Sequence, residues 1–189
     1  MRTGETRKPK GKRAAGAGKS LDLRWHLATD DLEVGLTEME FSLLRVSSAF
    51  ERWQADCLGC CHGAPFSGTD TALLHVVRMH ERPKSISELS RLLKRDDLSN
   101  LQYSVRKLLK AGLIEKPRHG SKKDATYQVS EQGREVTDQY ARFRKQLLVS
   151  LMEALGDKLD FSATARALNM MSAMYDQASC VAATHRIPL

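Results

Sequence analysis

Residues 85–116 read SISELSRLLKRDDLSNLQYSVRKLLKAGLIEK, and the fold turns on how this stretch divides. Ser85 and Glu88 form the Ser-x-x-Glu signature of a helix start, in which the hydroxyl accepts from the N3 amide and the acid reaches back. Behind them Ile86, Leu89, Leu92 and Leu93 recur at helical spacing, giving a short helix with one apolar side. Arg95, Asp96 and Asp97 interrupt that pattern, and either aspartate can cap a second helix. Its inward side is predicted to be Leu98, Leu101, Val105, Leu108 and Leu109. Gly112 stands where a glycine after the last turn permits the left-handed conformation. Two short helices joined by a tight turn make a helix-turn-helix, the second helix running from about Asp97 to Ala111.

Downstream, Leu113 to Lys116 and Thr126 to Val129 each suit a short strand. Between them lies the polar tip Pro117-Arg118-His119-Gly120-Ser121-Lys122-Lys123-Asp124. A helix-turn-helix followed by a basic hairpin is a winged helix. Ser130 can then cap a long helix with Val136, Tyr140, Phe143, Leu147 and Leu151 on one side. After a turn at Gly156 to Asp160, a last helix from about Ser162 is predicted to bury Leu168, Met171, Met174 or Tyr175, and Ala178. Upstream, Thr37 and Glu40 read as another capping box. A seam of Met39, Leu43, Val46, Phe50, Trp53 and Cys57 follows at near-heptad steps and ends near Gly59. A loop from Cys60 to Gly68 leads to a helix over about Asp70 to His80. The expected class is mainly α with a small β-hairpin wing, a winged helix-turn-helix flanked by N- and C-terminal helices. The segments are a disordered basic tail (1–19), an arm of uncertain structure (20–36), a dimerisation helix and loop (37–68), the winged domain (69–130) and C-terminal dimerisation helices (131–189).

Charge follows the same divisions. The formal net charge of +7 is gathered in two blocks, with seven basic residues against one acidic in 1–19 and thirteen against seven in 70–130. Residues 20–69 are acidic, with three basic against eight acidic, and 131–189 balance at seven each. Basic blocks of this kind are the footprint of a polyanion partner. Four cysteines without an apolar leader read as cytosolic thiols, so the expected compartment is the cytoplasm, on the nucleoid. No apolar run approaches the roughly 20 residues a membrane span needs.

With its Leu/Val side inward, the second helix turns Ser99, Asn100, Gln102, Tyr103, Arg106 and Lys107 outward. Asn and Gln can pair bidentately with adenine and Arg with guanine, while Ser and Lys suit phosphate. No acid occurs between Leu98 and Gly112, as repulsion from phosphate demands; an ordinary solvated face carries Glu and Lys at four-residue spacing. Asn100, Gln102, Tyr103 and Arg106 are the candidates for reading bases. Ser99 and Lys107, with Arg118, Lys122 and Lys123 of the wing tip, are the candidates for holding backbone.

From Ser85 to Gly133 the chain resembles the MarR-type (multiple antibiotic resistance regulator) winged-helix transcription factors. The resemblance is carried by Leu108-Leu109-Lys110-Ala111-Gly112-Leu113-Ile114-Glu115-Lys116 and by Val129-Ser130-Glu131-Gln132-Gly133. The family's usual Asp-x-Arg pair in the wing is replaced here by Lys122-Lys123-Asp124 with Arg118. Lysine makes a poorer minor-groove wedge than arginine, so wing contacts are expected mainly on phosphate. The resemblance implies a homodimer whose first and last helices interlock. Two-fold symmetry then implies a pseudo-palindromic site on double-stranded DNA. It also implies a small aromatic or acidic effector, for which Phe50, Trp53, Cys57, Phe66 and His75 are candidate lining residues. Each of these five also has a plain reading as core, and taken alone that reading comes first.

The cluster Cys57-Leu58-Gly59-Cys60-Cys61-His62 admits three readings. Buried or incidental thiols come first, a redox switch second and zinc last, since no second ligand pair stands at a familiar spacing. No cofactor or metal is expected. A winged helix used for protein contact is the main rival. An enzyme is the weaker one, for the chain has no G-x-S-x-G, H-E-x-x-H or phosphate-cradling glycine loop.

Overall fold

The computed structural model describes residues 26–117, 125–156 and 159–185. The chain divides into two units, Met1–Glu51 and Arg52–Leu189. Helix α1 spans Asp31–His62 and so begins in the first unit and ends in the second.

In the first unit α1 starts earlier than the Thr37-Glu40 pattern predicts. Asp30 is the residue at its start, its Oδ1 accepting from the Glu33 amide at 2.9 Å, and Glu33 in turn accepts from the Thr29 amide at 2.6 Å. Thr37 lies inside the helix and donates its hydroxyl to the Glu33 carbonyl at 2.8 Å. Two x-x-Glu cap patterns, Asp30–Glu33 and Thr37–Glu40, stand seven residues apart here, and the helix starts at the upstream one, whose aspartate is the better cap. The arm expected over 20–36 is therefore helical from Asp31 on. Of the predicted seam, Met39 and Leu43 are half-buried, whereas Val46 and Phe50 are exposed, as are Leu32, Leu36 and Leu44.

The second unit holds the core. Helix α2 is Gly68–Arg78, then a 3-10 turn covers Met79–Glu81. Strand β1 (Lys84–Ser85), helix α3 (Ile86–Leu93), helix α4 (Leu98–Lys110), strand β2 (Ile114–Glu115), strand β3 (Thr126–Val129) and helix α5 (Glu131–Phe143) follow. A π-helical turn, Arg144–Val149, carries α5 into a short α6 (Ser150–Glu153), and α7 occupies Phe161–Thr184. The sheet order is β1-β3-β2, all antiparallel, with Lys84 opposite Tyr127 and Ile114 opposite Val129. The winged helix is thus present, with one strand more than the hairpin predicted. Leu58, Leu73, Leu74, Val77, Leu89, Leu101, Val105, Leu108 and Leu113 are sealed together, and Tyr127, Val129, Val136 and Tyr140 close the core.

Lys84 explains why β1 was not predicted. It is fully buried, and its ammonium donates to the carbonyls of Val77 (3.0 Å), Arg82 (3.2 Å) and Met79. The backbone turns sharply after α2, with His80 at φ 64° and Glu81 at φ 48°, and the carbonyls of Val77, Met79 and Arg82 converge on this one ammonium. Burial lowers the pKa of the Lys84 ammonium, with Arg82 adding to the drop. Arg78 ties the same turn to α5 through the Arg134 carbonyl (3.2 Å) and Asp138 (2.6 Å).

Helix α7 differs from its prediction in environment. None of its residues is buried; Leu168, Met170, Met174 and Tyr175 are exposed, and Met171 is only half-buried. Leu147 and Leu151, predicted to continue the inner side of α5, are exposed as well. Among the described residues, the apolar side chains of α7 are exposed or half-buried.

Candidate nucleic-acid interface

The candidate interface is built on α4. Buried Leu101, Ser104, Val105 and Leu108 fix its inward side, and Leu98, predicted inward, is exposed because it sits on the opening turn. At the far end Gly112 takes φ +71°, and the Leu113 amide returns to the Leu108 carbonyl at 3.0 Å. This rotation leaves Ser99, Asn100, Gln102, Tyr103 and Arg106 exposed on one side of the helix. Arg91, Lys110 and Lys116 are exposed basic neighbours, and Lys94 pairs with Asp176 of α7 at 2.7 Å.

Lys107 is placed differently. Its ammonium lies 2.7 Å from the Asp70 carboxylate and 4.9 Å above the Phe66 ring, and only a third of the side chain is exposed. The ammonium thereby holds α4 against the start of α2. Asp70 also completes a capping box that the sequence reading passed over. It accepts from the Ser67 amide at 3.0 Å while Ser67 Oγ accepts from the Asp70 amide at 3.1 Å. Burial pushes the Asp70 carboxyl up, but hydrogen bonds from Lys107, Ser67 and Ser104 outweigh it, and the net shift is downward.

At the N-terminus of α4 three side chains form a chain that sequence reasoning also missed. Arg95 donates to both oxygens of Asp97, at 2.8 and 2.6 Å, and Asp97 accepts from the Asn100 amide at 3.1 Å. Arg95 is itself pinned to α3, since its backbone exchanges bonds with Ser90 at 3.0 and 2.6 Å. The sequence marks Asp97 as a helix cap, a role that gives no hint of a side-chain partner.

The wing is framed by β2 and β3, where Gln128 donates across the ladder to Glu115 at 2.8 Å. The tip residues Arg118, Lys122 and Lys123 lie outside the described residues, as does the tail 1–19.

Of the five candidates for an effector site, Cys57 and Phe66 belong to the buried core and Trp53 packs against it. Trp53 and His75 both pack edge-on against Tyr140, with centroids 6.4 and 4.4 Å away. Phe66 instead meets His62 at 5.3 Å and lies under Lys107. Cys57 is buried, and Phe50 is exposed in the first unit. The pKa of His75 is lowered by burial and then by the charges of Arg78 and Arg144, and its Nε2 is buried without a hydrogen-bond partner.

All four cysteines are free thiols. Burial, then neighbouring Cys61 and Cys60, pushes the Cys57 thiol up to about 11. At neutral pH its reactive thiolate is then on the order of one molecule in 10⁴. Iodoacetamide at pH 7.5 is expected to label exposed Cys60 and Cys180 well before Cys57, as followed by peptide mass spectrometry. Fast labelling of Cys57 would revive the redox reading. Among the described residues no cluster of His, Cys, Asp or Glu could hold a metal ion. Nor is any described helix long and apolar enough to cross a membrane.

Residues 66–133 match the family model described as a winged helix DNA-binding domain. No curated protein matches the sequence at a significant level. Among solved structures, the transcriptional regulator BldR from Sulfolobus solfataricus is similar, with 19% identity and a TM-score of 0.58 over 77% of this chain and 99% of that one. A cysteine-to-serine variant of E. coli MarR complexed with operator DNA gives 17% identity and 0.56 over 77% and 99%. Staphylococcus aureus MarR in complex with salicylate and kanamycin gives 13% and 0.58 over 78% and 94%. At these identities the likeness is one of fold, and the fold is the MarR-type winged helix.

Proposed function

From a winged helix DNA-binding domain set in the MarR-type fold, we propose that this chain is a sequence-specific DNA-binding transcriptional regulator and not an enzyme. It acts as a homodimer on a pseudo-palindromic operator. The observation that carries the reading is the outer side of α4, where Asn100, Gln102, Tyr103 and Arg106 stand exposed on a helix whose length holds no acid. Side chains of this kind reach base edges in a major groove, and the absence of carboxylates removes repulsion from phosphate.

Two further features support the finer reading. Exposed Leu168, Met170, Met174 and Val181 along α7 are apolar surface that a second copy of the chain covers in a closed dimer. The S. aureus relative was solved with salicylate, and here Trp53 and His75 meet on Tyr140 with the charges of Arg78 and Arg144 acting on His75. That surrounding suits an aromatic acid as effector.

Selection of bound duplexes from a random pool, followed by a salt titration on the recovered sequence, tests the proposal. A two-fold symmetric sequence with half-sites about one helical turn apart is expected. The log–log salt slope should be steep, each neutralised phosphate adding about 0.9. A flat slope, or no enriched sequence, contradicts DNA binding as the function and favours the protein-contact alternative.

A further inference from the structure

Asp97 occupies the cap position of α4, yet its side chain makes no bond to the amides of the first turn. An aspartate there ordinarily accepts from the second or third amide of the helix. Here one oxygen accepts from Arg95 Nε, and the other from both Arg95 Nη2 and Asn100 Nδ2. The acid is thus spent on two side chains, one of which faces outward from the proposed recognition helix.

We propose that Asp97 is a specificity-determining residue that acts through Asn100, fixing which way the Asn100 amide faces the bases. The inference rests on the DNA-binding reading above and extends it to how one contact is ordered. A carboxylate can only accept, so the group of Asn100 turned toward it must be the NH₂. One of the two amide hydrogens is occupied by Asp97, leaving the carbonyl oxygen and the other hydrogen for a ligand. That is the acceptor-plus-donor pair that matches the N6 amino group and N7 of adenine in the major groove. An unrestrained asparagine presents either order by a half-turn of its amide. The bond to Asp97 selects one order before DNA arrives, so less freedom is lost on binding.

Arg95 makes the arrangement compatible with a polyanion. Its two bonds neutralise the acid, and its backbone bonds to Ser90 hold the pair in place on α3. Arg95, then Asn100, keep the Asp97 carboxyl at about 2, so it stays ionised through the physiological range.

The test uses the full-length chain and the operator recovered by selection. Wild type, Asp97→Ser, Asp97→Ala, Asn100→Ala and the double variants are titrated against that duplex and against duplexes changed at one base pair at a time. Serine is itself a good helix cap, so Asp97→Ser preserves the helix start if alanine does not. Thermal melts confirm folding of each variant. The Asp97 variants are expected to lose roughly 2- to 10-fold of discrimination at one A·T pair per half-site, the worth of one hydrogen bond. In the Asn100→Ala background the same substitutions should cost nothing further at that pair. Unchanged discrimination in the Asp97 variants, or an equal loss whether or not Asn100 is present, overturns the inference while leaving DNA binding intact. If wild type selects no sequence at all, the functional reading itself fails and this inference falls with it.

Discussion

Gly133→Ala is expected to destabilise the winged helix by about 3 kcal/mol or more, lowering the urea midpoint and the melting temperature at fixed protein concentration. A Cβ at Gly133 would stand 2.0 Å from the Leu113 carbonyl oxygen, 2.8 Å from Val129 Cγ2 and 3.0 Å from the Leu113 carbonyl carbon. Two of these atoms are backbone, and they cannot retreat freely because the same Leu113 carbonyl accepts from the Ser130 amide at 3.2 Å. Helix propensity alone predicts the opposite sign, since alanine in a helix is worth about 1 kcal/mol over glycine. Gly35, with nothing within 4 Å of a built Cβ, is the control, and Gly35→Ala should be neutral or stabilising. Gly112→Ala should fall between them. It is strained by φ +71°, but its nearest obstacle is the end of the Gln132 side chain. A neutral Gly133→Ala would mean that the start of α5 does not sit against Leu113.

That contact also shows why two short motifs far apart in the chain could be read together. Leu108 to Lys116 and Val129 to Gly133 meet in the fold, where Ser130 Oγ donates to the Gly112 carbonyl and accepts from the Gly133 amide at 3.0 Å. The helix-turn-helix was readable because its signals are local. Leucine spacing sets the inner sides of α3 and α4, Ser85 caps one helix and Ser130 another, and Gly112 ends α4. Even so, only half of the Ser85 capping box formed, because Glu88 turns to Arg82 and does not reach back. What could not be read depended on partners distant in sequence. Lys107 looks like any outward cation until Asp70 arrives beside it from 37 residues away. Lys84 reads as surface charge, and two residues are too few for a strand period to show. The stripe on α7 has the same spacing whether it packs within the chain or against a second one, so burial was predicted where the single chain shows exposure. At the site, exposure of Ser99, Asn100, Gln102, Tyr103 and Arg106 followed from helix geometry alone. The Arg95-Asp97-Asn100 chain needed side-chain positions that no spacing encodes.

Asp70 should give the second large effect, and one that depends on pH. Asp70→Ala removes the partner of Lys107 and half of a capping box at once, and the expected loss at neutral pH is about 2–4 kcal/mol. The lower end applies if the Lys107 ammonium, a third of whose side chain is exposed, can turn to water. Asp70→Asn keeps the size and one acceptor but cannot ionise, so comparison with wild type isolates the charge. The folded-state pKa of Asp70 lies below its ordinary value of 3.8. The unfolded chain therefore takes up the proton first as pH falls. The stabilisation is present in full above the unfolded pKa and is lost as pH drops through the folded one. The gap between wild type and Asp70→Asn, measured by urea unfolding, should be constant from pH 7 to about 5 and shrink steadily below about 4. A gap that does not change across this range would show that the carboxylate contributes by shape and not by charge. Because Lys107 and Ser104 both sit on α4, loss of this anchor should also weaken operator binding in proportion to the freedom α4 gains. Lys107→Met should reproduce that weakening with a smaller loss of stability, since the Asp70 carboxylate keeps its bonds from Ser67 and Ser104.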